Sequence, residues 1–208
     1  RGVQFEARAR DLLPSLTAEQ KQDAVRKLMY YVAHDARLRA MSEHAPLLAL
    51  VSRLMGGRAP ALFQDMALIK PPRIGREKPW HQDHAYFDFA LGTPVVGVWI
   101  ALDEATADNG CMHVAVGGHA AGPLPHFQRR DWQICDTDRP RLGQVLAVPL
   151  KPGGVLVFDG LLPHGTPANQ SGARRRALQF HYCPAGTVKG SAEERLAIFG
   201  GEGRNVAC

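Results

Sequence analysis

The fold class that this sequence predicts is mainly β with flanking α-helices, the strands arranged as a sandwich or jelly roll. Two observations carry the prediction. From residue 59 onward, short apolar runs alternate with turn signals, and many short strands at such spacing build sandwiches and barrels. Before that point, apolar residues recur at helical intervals behind a helix-capping pattern.

Taken in order, Thr17–Gln20 reads TAEQ, a capping box in which two side chains satisfy two orphan backbone donors. Val25, Leu28, Met29 and Val32 then follow at helical spacing, so residues 1–58 are expected to form a helical part packed on the strands. Pro46 suits the first turn of a further helix through Leu47, Leu48, Val51 and Leu54, which Gly56 and Gly57 end. Residues 59–208 are expected to hold the jelly-roll core, within one domain spanning 1–208. Its apolar runs are Ala61–Ile69, His81–Phe89, Val95–Leu102, Cys111–Val116, Val145–Val148, Val155–Phe158 and Ala177–Cys183. Between them lie Pro71-Pro72, Asp108-Asn109-Gly110, Gly117-Gly118, Pro152-Gly153-Gly154 and Ser171-Gly172. Asn109-Gly110 predicts a tight hairpin, because both central residues of a primed turn need positive φ. Ser191–Glu194 (SAEE) is a second capping box and predicts a short C-terminal helix.

At 208 residues the chain suits one domain with a sizeable core. No apolar run approaches the roughly 20 residues that span a bilayer, so no membrane partner is expected. No signal peptide is visible, and since the chain opens on Arg1, its natural start is expected to lie upstream. The four cysteines, Cys111, Cys135, Cys183 and Cys208, form no CxxC pair, which argues against a zinc ribbon or a thioredoxin-like motif. Reduced thiols and a cytoplasmic setting are expected. The net charge of +5 reads as a solvated, arginine-rich surface. No basic stripe interleaved with aromatic residues points to nucleic acid.

The chemistry concentrates in PWHQDHAYF, Pro79–Phe87. In a strand, residues i and i+2 share a face, so His81 and Asp83 project together, with Gln82 and His84 on the other side. An imidazole and a carboxylate make two corners of a metal site. The best candidate for the third is His164, in FDGLLPHGTPAN. Two histidines and one carboxylate on one face leave the opposite coordination positions open, the arrangement of non-haem Fe(II) oxygenases. Such a site needs electrons, which a keto acid supplies by decarboxylation, and its far carboxylate needs a fixed cationic partner. Arginine suits this with a planar fork of donors. Arg174, Arg175 and Arg176 compete for that role, and alternation turns Arg175 away from its two neighbours.

These motifs resemble the phytanoyl-CoA dioxygenase family of Fe(II)- and 2-oxoglutarate-dependent oxygenases. The likeness runs from Leu62 to Tyr182 through IKPP, WHQDHAYF, GVWIAL, DNGCM, a glycine turn ending in GGH, PGGVLVFDGLLPHG and NQSGARRRALQFHY. It implies a double-stranded β-helix, a cupin-like jelly roll. It implies His81, Asp83 and His164 as iron ligands and Arg175 as partner of the 2-oxoglutarate side-chain carboxylate. Trp99 matches a position beside the co-substrate, and Thr166 a hydroxyl that helps hold the same carboxylate. Met66 and Gln82 fall near positions lining the co-substrate or substrate pocket. The implied reaction consumes O2 and hydroxylates an unactivated C–H bond of a small molecule, with 2-oxoglutarate decarboxylated to succinate and CO2. Asp83 favours hydroxylation, since related halogenases lack this carboxylate. A non-catalytic metal-binding jelly roll is the alternative, though a structural metal needs no keto acid.

Some segments depart from the resemblance or stay outside the chemistry. The glycine turn reads VGGH, which makes His119 a turn residue. Residues 122–145 match nothing in the family pattern and are expected near the substrate entrance. His34, His44, His84, His113, His126 and His181 read as packing or surface residues. Tyr86 and Phe87 suit an aromatic wall or a core contact equally well. The basic loop Lys70–Lys78 reads as solvated. Cys111 and Cys183 read as buried thiols.

Overall fold

The computed structural model describes residues 2–200; Cys208 lies outside them. Twelve strands are described: β1 (Gly2–Phe5), β2 (Val25–Met29), β3 (Pro60–Lys70), β4 (Lys78–His81), β5 (Val96–Ala101), β6 (Met112–Ala115), β7 (His126–Gln128), β8 (Trp132–Ile134), β9 (Val145–Val148), β10 (Val155–Asp159), β11 (His164–Thr166) and β12 (Arg175–Pro184). Four α-helices accompany them: α1 (Ala18–Asp23), α2 (Ala36–Ser42), α3 (Ala45–Leu54) and α4 (Ala192–Phe199). The strands form a six-stranded sheet ordered β1-β2-β3-β12-β5-β10, a four-stranded sheet ordered β4-β11-β6-β9, and a ribbon of β7 and β8. All pairings are antiparallel. This is the jelly roll that the apolar runs predict.

Register divides the large sheet into two faces, because direct partners across antiparallel strands share a face. Arg175, Ala177, Gln179 and His181 of β12 lie opposite Lys70, Leu68, Met66 and Gln64 of β3. On the other flank, Ala177, Gln179 and His181 meet Ala101, Trp99 and Gly97 of β5. Lys27 and Met29 of β2 extend the same face. It looks into the roll and mixes polar with apolar side chains. The opposite face carries Val96, Val98, Ile100, Leu178, Phe180 and Tyr182, buried against Val32 and against Val51 and Met55 at α3. Burying each large apolar side chain there contributes roughly 1.5–3 kcal/mol. Dry packing thus sits behind the sheet and leaves the inner face for chemistry.

Both capping boxes form, at Thr17 and at Ser191. Pro46 lies in the first turn of α3, and Gly56 and Gly57 beyond it take positive φ of 70° and 83°. Three local expectations are corrected. Residues 1–58 are not helical throughout: the segment expected to continue the first helix is strand β2, paired between β1 and β3. Its inner face carries Lys27 where alternation calls for an apolar residue, so the apolar positions mimic a helical repeat. The run His81–Phe89 is strand only to His81, after which Asp83–Tyr86 is a 3-10 turn. Asn109-Gly110 is no hairpin, since it links β5 of one sheet to β6 of the other. Only Gly110 takes positive φ there, 87°. Asn109 instead accepts from the Thr106 N–H at 2.8 Å and donates to the Glu104 carbonyl at 2.8 Å.

Candidate functional site

β4 and β11 are neighbours, and their register sets His81 opposite His164. The two imidazole centroids lie 4.2 Å apart. Gln82 is extended (φ −111°, ψ 130°), so the chain carries Asp83 to the same side before it turns. One ligand atom from each of the three residues lies within 4.8 Å of the others, and all three residues are buried. Asp83 Oδ1 is 3.3 Å from His81 Nε2 and 3.7 Å from His164 Nε2.

Hydrogen bonds fix which atoms point inward. His81 Nδ1 meets the Pro79 carbonyl at 2.8 Å, and His164 Nδ1 meets the Leu162 carbonyl at 2.9 Å. A carbonyl only accepts, so each Nδ1 carries the proton and each Nε2 presents a lone pair. On Asp83, the second oxygen Oδ2 accepts from Gln179 Nε2 at 3.0 Å and from His181 Nε2 at 2.7 Å. Oδ1 is left for the centre. Burial, with His164 and Lys78 nearby, pushes His81 down to about 3, so it stays neutral and able to ligate. Burial pushes the Asp83 carboxyl up, but the neighbouring His181 and His164 and the hydrogen bond from His181 outweigh it and hold it well below its usual range.

A cavity of about 360 Å³ opens from these three residues. Arg175, Trp99, Thr166 and Met66 line it. Arg175 is 2% exposed, and its guanidinium sits 5.3 Å from the Trp99 ring centre. Arg175 Nε and Nη1 and Trp99 Nε1 are buried without an acceptor among the described residues. Burial lowers Arg175 to about 10, which leaves it charged at neutral pH. The flanking arginines lie outside: Arg174 pairs with Asp23, and Arg176 with Asp103 at 2.8 Å. A buried donor without a partner is costly, and here three such donors belong to two residues that line one cavity. Two imidazole nitrogens and one carboxylate oxygen suit a first-row divalent metal, and the three orphan donors suit a carboxylate.

Gln82 is not brought to the cavity. Its amide donates to the Gly122 and Leu161 carbonyls at 2.8 and 2.7 Å and accepts from the Leu124 N–H at 2.7 Å. Its backbone N–H donates to His126 Nε2 at 3.0 Å. Part of the 122–145 stretch therefore braces the residue between His81 and Asp83, while Asp131 from the same stretch reaches the cavity.

Four further polar residues belong to the site although the sequence did not assign them to it, among them His181, read as a packing or surface residue, and Lys70, read as solvated but buried. Gln179 and His181 share the face of Arg175, and alternation from Arg175 would have found both. Lys27 lines the cavity from β2 near Asp83, and burial together with Lys78 and Arg26 lowers it to about 8. Lys70, opposite Arg175 in the register, donates to the carbonyls of Arg76 at 2.9 Å, Thr166 at 3.1 Å and Pro167. Burial, with Arg175 and Arg26, lowers Lys70 to about 6.

The fold is shared with solved structures of known proteins. A solved structure of EvdO2 from Micromonospora carbonacea var. aurantiaca, complexed with 2-oxoglutarate, superimposes with a TM-score of 0.69 at 29% identity, over 83% of this chain and 72% of that one. EctD from S. alaskensis, at 23% identity, shares the fold with a TM-score of 0.70 over 90% of this chain and 64% of that one. A probable phytanoyl-CoA dioxygenase of Caenorhabditis elegans is 32% identical over 151 residues, 64% of this chain and 47% of that protein. Phytanoyl-CoA dioxygenase domain-containing protein 1 of Rattus norvegicus is 32% identical over 165 residues, 75% of this chain and 56% of that protein. The chain thus spans about half the length of these relatives. The family model described as phytanoyl-CoA dioxygenase matches residues 4–177, and the chain belongs to that family.

Proposed function

We propose that residues 1–208 act as a single oxygenase domain, a 2-oxoglutarate-dependent dioxygenase that hydroxylates a C–H bond of a small molecule. His81 Nε2, Asp83 Oδ1 and His164 Nε2 would hold Fe(II), and the metal would supply the activation of O2 as 2-oxoglutarate is oxidised to succinate and CO2. The observation that carries this reading is the set of orphan donors on Arg175 and Trp99, which share a cavity with the three ligand atoms. The chain's own residues bind and orient. Arg175 presents a permanent charge to the distal carboxylate of 2-oxoglutarate, with the Thr166 hydroxyl beside it. Met66 and Trp99 wall that end from water. Lys27 adds positive charge near the metal end of the co-substrate. Gln179 and His181 hold Asp83 Oδ2 and leave Oδ1 for the metal.

The test is succinate release from 2-oxoglutarate with Fe(II) and ascorbate, screened against a metabolite library. His81→Ala and Asp83→Ala are expected to abolish it. Arg175→Gln is expected to raise the KM for 2-oxoglutarate about tenfold or more, the worth of a charge-assisted pair. Metal binding without any 2-oxoglutarate binding or consumption would instead favour a metal-binding jelly roll without catalysis.

A further inference from the structure

Positive charge remains on the cavity wall once the metal and the co-substrate are assigned. Arg26, Lys27, Lys70, Arg76, Lys78 and Arg175 line the cavity, Lys70 with its amino group engaged by backbone carbonyls, against the carboxylates of Glu6, Asp83 and Asp131. Lys78 is matched by Asp131 at 2.8 Å. Asp83 is committed to the metal in the reading above, and Arg175 to 2-oxoglutarate. Arg26 and Arg76 are left to share Glu6. That carboxylate lies 3.7 Å from Arg26 Nη1 and 3.8 Å from Arg76 Nε, both beyond hydrogen-bond length. Its other oxygen accepts from the Arg76 backbone N–H at 3.2 Å. Arg26 Nη1 is buried without an acceptor among the described residues. The Arg76 side chain is 41% exposed and that of Arg26 11%, so the pair runs from the rim inward. Arg76 belongs to the basic loop that the sequence leaves as solvated, and it is the member turned towards Glu6.

One buried donor without an acceptor on Arg26 and the rim-exposed guanidinium of Arg76, set around one shared carboxylate, suit a second oxyanion, which each guanidinium can grip with paired hydrogen bonds. A cavity of about 360 Å³ is small for a ligand pocket, and the co-substrate takes a share of it. We propose that the substrate is a small oxyanion, a carboxylate or a phosphate ester, whose charged group docks between Arg26 and Arg76 while its reacting carbon lies towards His81 and Asp83. This rests on the 2-oxoglutarate reading and deepens it.

The test uses the whole protein loaded with Mn(II) and 2-oxoglutarate under argon, titrated calorimetrically with pentanoate, butyl phosphate and the neutral pentanamide. At least one anion is expected to bind about tenfold or more tightly than the amide, with an affinity that falls as salt is added. Whichever anion binds better sorts carboxylate from phosphate. Arg26→Gln and Arg76→Gln are each expected to weaken that binding about tenfold. Glu6→Gln has the opposite sign: without the shared carboxylate both guanidiniums are free, and the anion binds more tightly. A purely structural ion pair would give a less stable Glu6→Gln protein with unchanged or weaker anion binding, which overturns the proposal. Equal binding of amide and anions, or no binding by either anion, overturns it too. The 2-oxoglutarate titration separates the two readings. Failure of the unmodified protein to bind 2-oxoglutarate sinks the co-substrate assignment, whereas 2-oxoglutarate binding without anion discrimination sinks the oxyanion site alone.

Discussion

Asp83 divides its work between two oxygens, and the division is made from β12. Oδ2 is occupied by donors from Gln179 and His181, which leaves Oδ1 as the free ligand atom. Residues that orient a metal ligand in this way are typically worth 10–100-fold in metal affinity. His181→Phe removes the donor while keeping a ring among Phe63 and Phe87, whose centroids lie 6.0 and 5.1 Å from the imidazole. Mn(II) affinity is expected to fall roughly 10–100-fold, and His181→Gln, which restores an N–H, to recover most of it. A competition titration against a chelator measures both, and equal losses in the two variants would refute the orienting role. At this scale the site is only partly legible in the sequence. His81, Asp83, His164 and Arg175 stand in recognisable motifs, and their side-chain types name the chemistry. His181 reads as a packing histidine because its neighbours are apolar and its partner lies 98 residues away. Gln82 misleads the other way: it stands between two ligands, yet its amide and backbone are wholly engaged on the far side.

Among the elements, β5 shows how tightly the inner face is fitted. Gly97 lies opposite both His181 and Phe158. A Cβ there would come within 2.6 Å of the Phe158 ring. That ring packs edge-on against His164 with centroids 4.8 Å apart. Gly97→Ala is therefore expected to destabilise the fold by about 1–3 kcal/mol, the usual cost of overpacking, and to weaken Mn(II) binding through the displaced imidazole. Urea denaturation checks the first effect and the chelator titration the second. Phe158→Leu should relieve both in the double variant, and full additivity of the two substitutions would contradict the steric account. The dry face of the sheet was legible because burial writes an unbroken apolar run into β5 and places Leu178, Phe180 and Tyr182 at alternate positions of β12. β2 was not, because a cavity-facing lysine interrupts its alternation. The β7–β8 ribbon was not, because it is short and carries His126 and Gln133 buried, where apolar residues would have marked it.

On the scale of the whole molecule, the sheet separates a dry side from a polar one, and the polar side makes stability depend on pH. Burial, opposed by the hydrogen bond to Leu124, lowers His126 to about 4, and burial with His164 and Lys78 lowers His81 to about 3. Unfolded, both titrate near 6.5. Between the folded and unfolded values the unfolded chain holds protons that the native protein refuses, so stability rises with pH across that window and is flat above it. Each histidine contributes up to about 1.4 kcal/mol per pH unit, His126 from 6.5 down to about 4 and His81 down to about 3. Against a total stability of roughly 5–15 kcal/mol, the metal-free protein is expected to weaken steeply from pH 6.5 to 4.5. Urea unfolding at pH 7.0, 5.5 and 4.5 measures this, and a flat profile over that range would contradict the burial of two neutral imidazoles. Saturating Mn(II) should shift the acid limb lower, because a cation on the His81 lone pair competes with the proton and stabilises only the folded chain. His81→Ala should erase that metal-dependent shift while keeping the acid sensitivity that belongs to His126. The two histidines are thereby told apart, since the first stays neutral to serve a ligand and the second to hold the backbone of Gln82 in place.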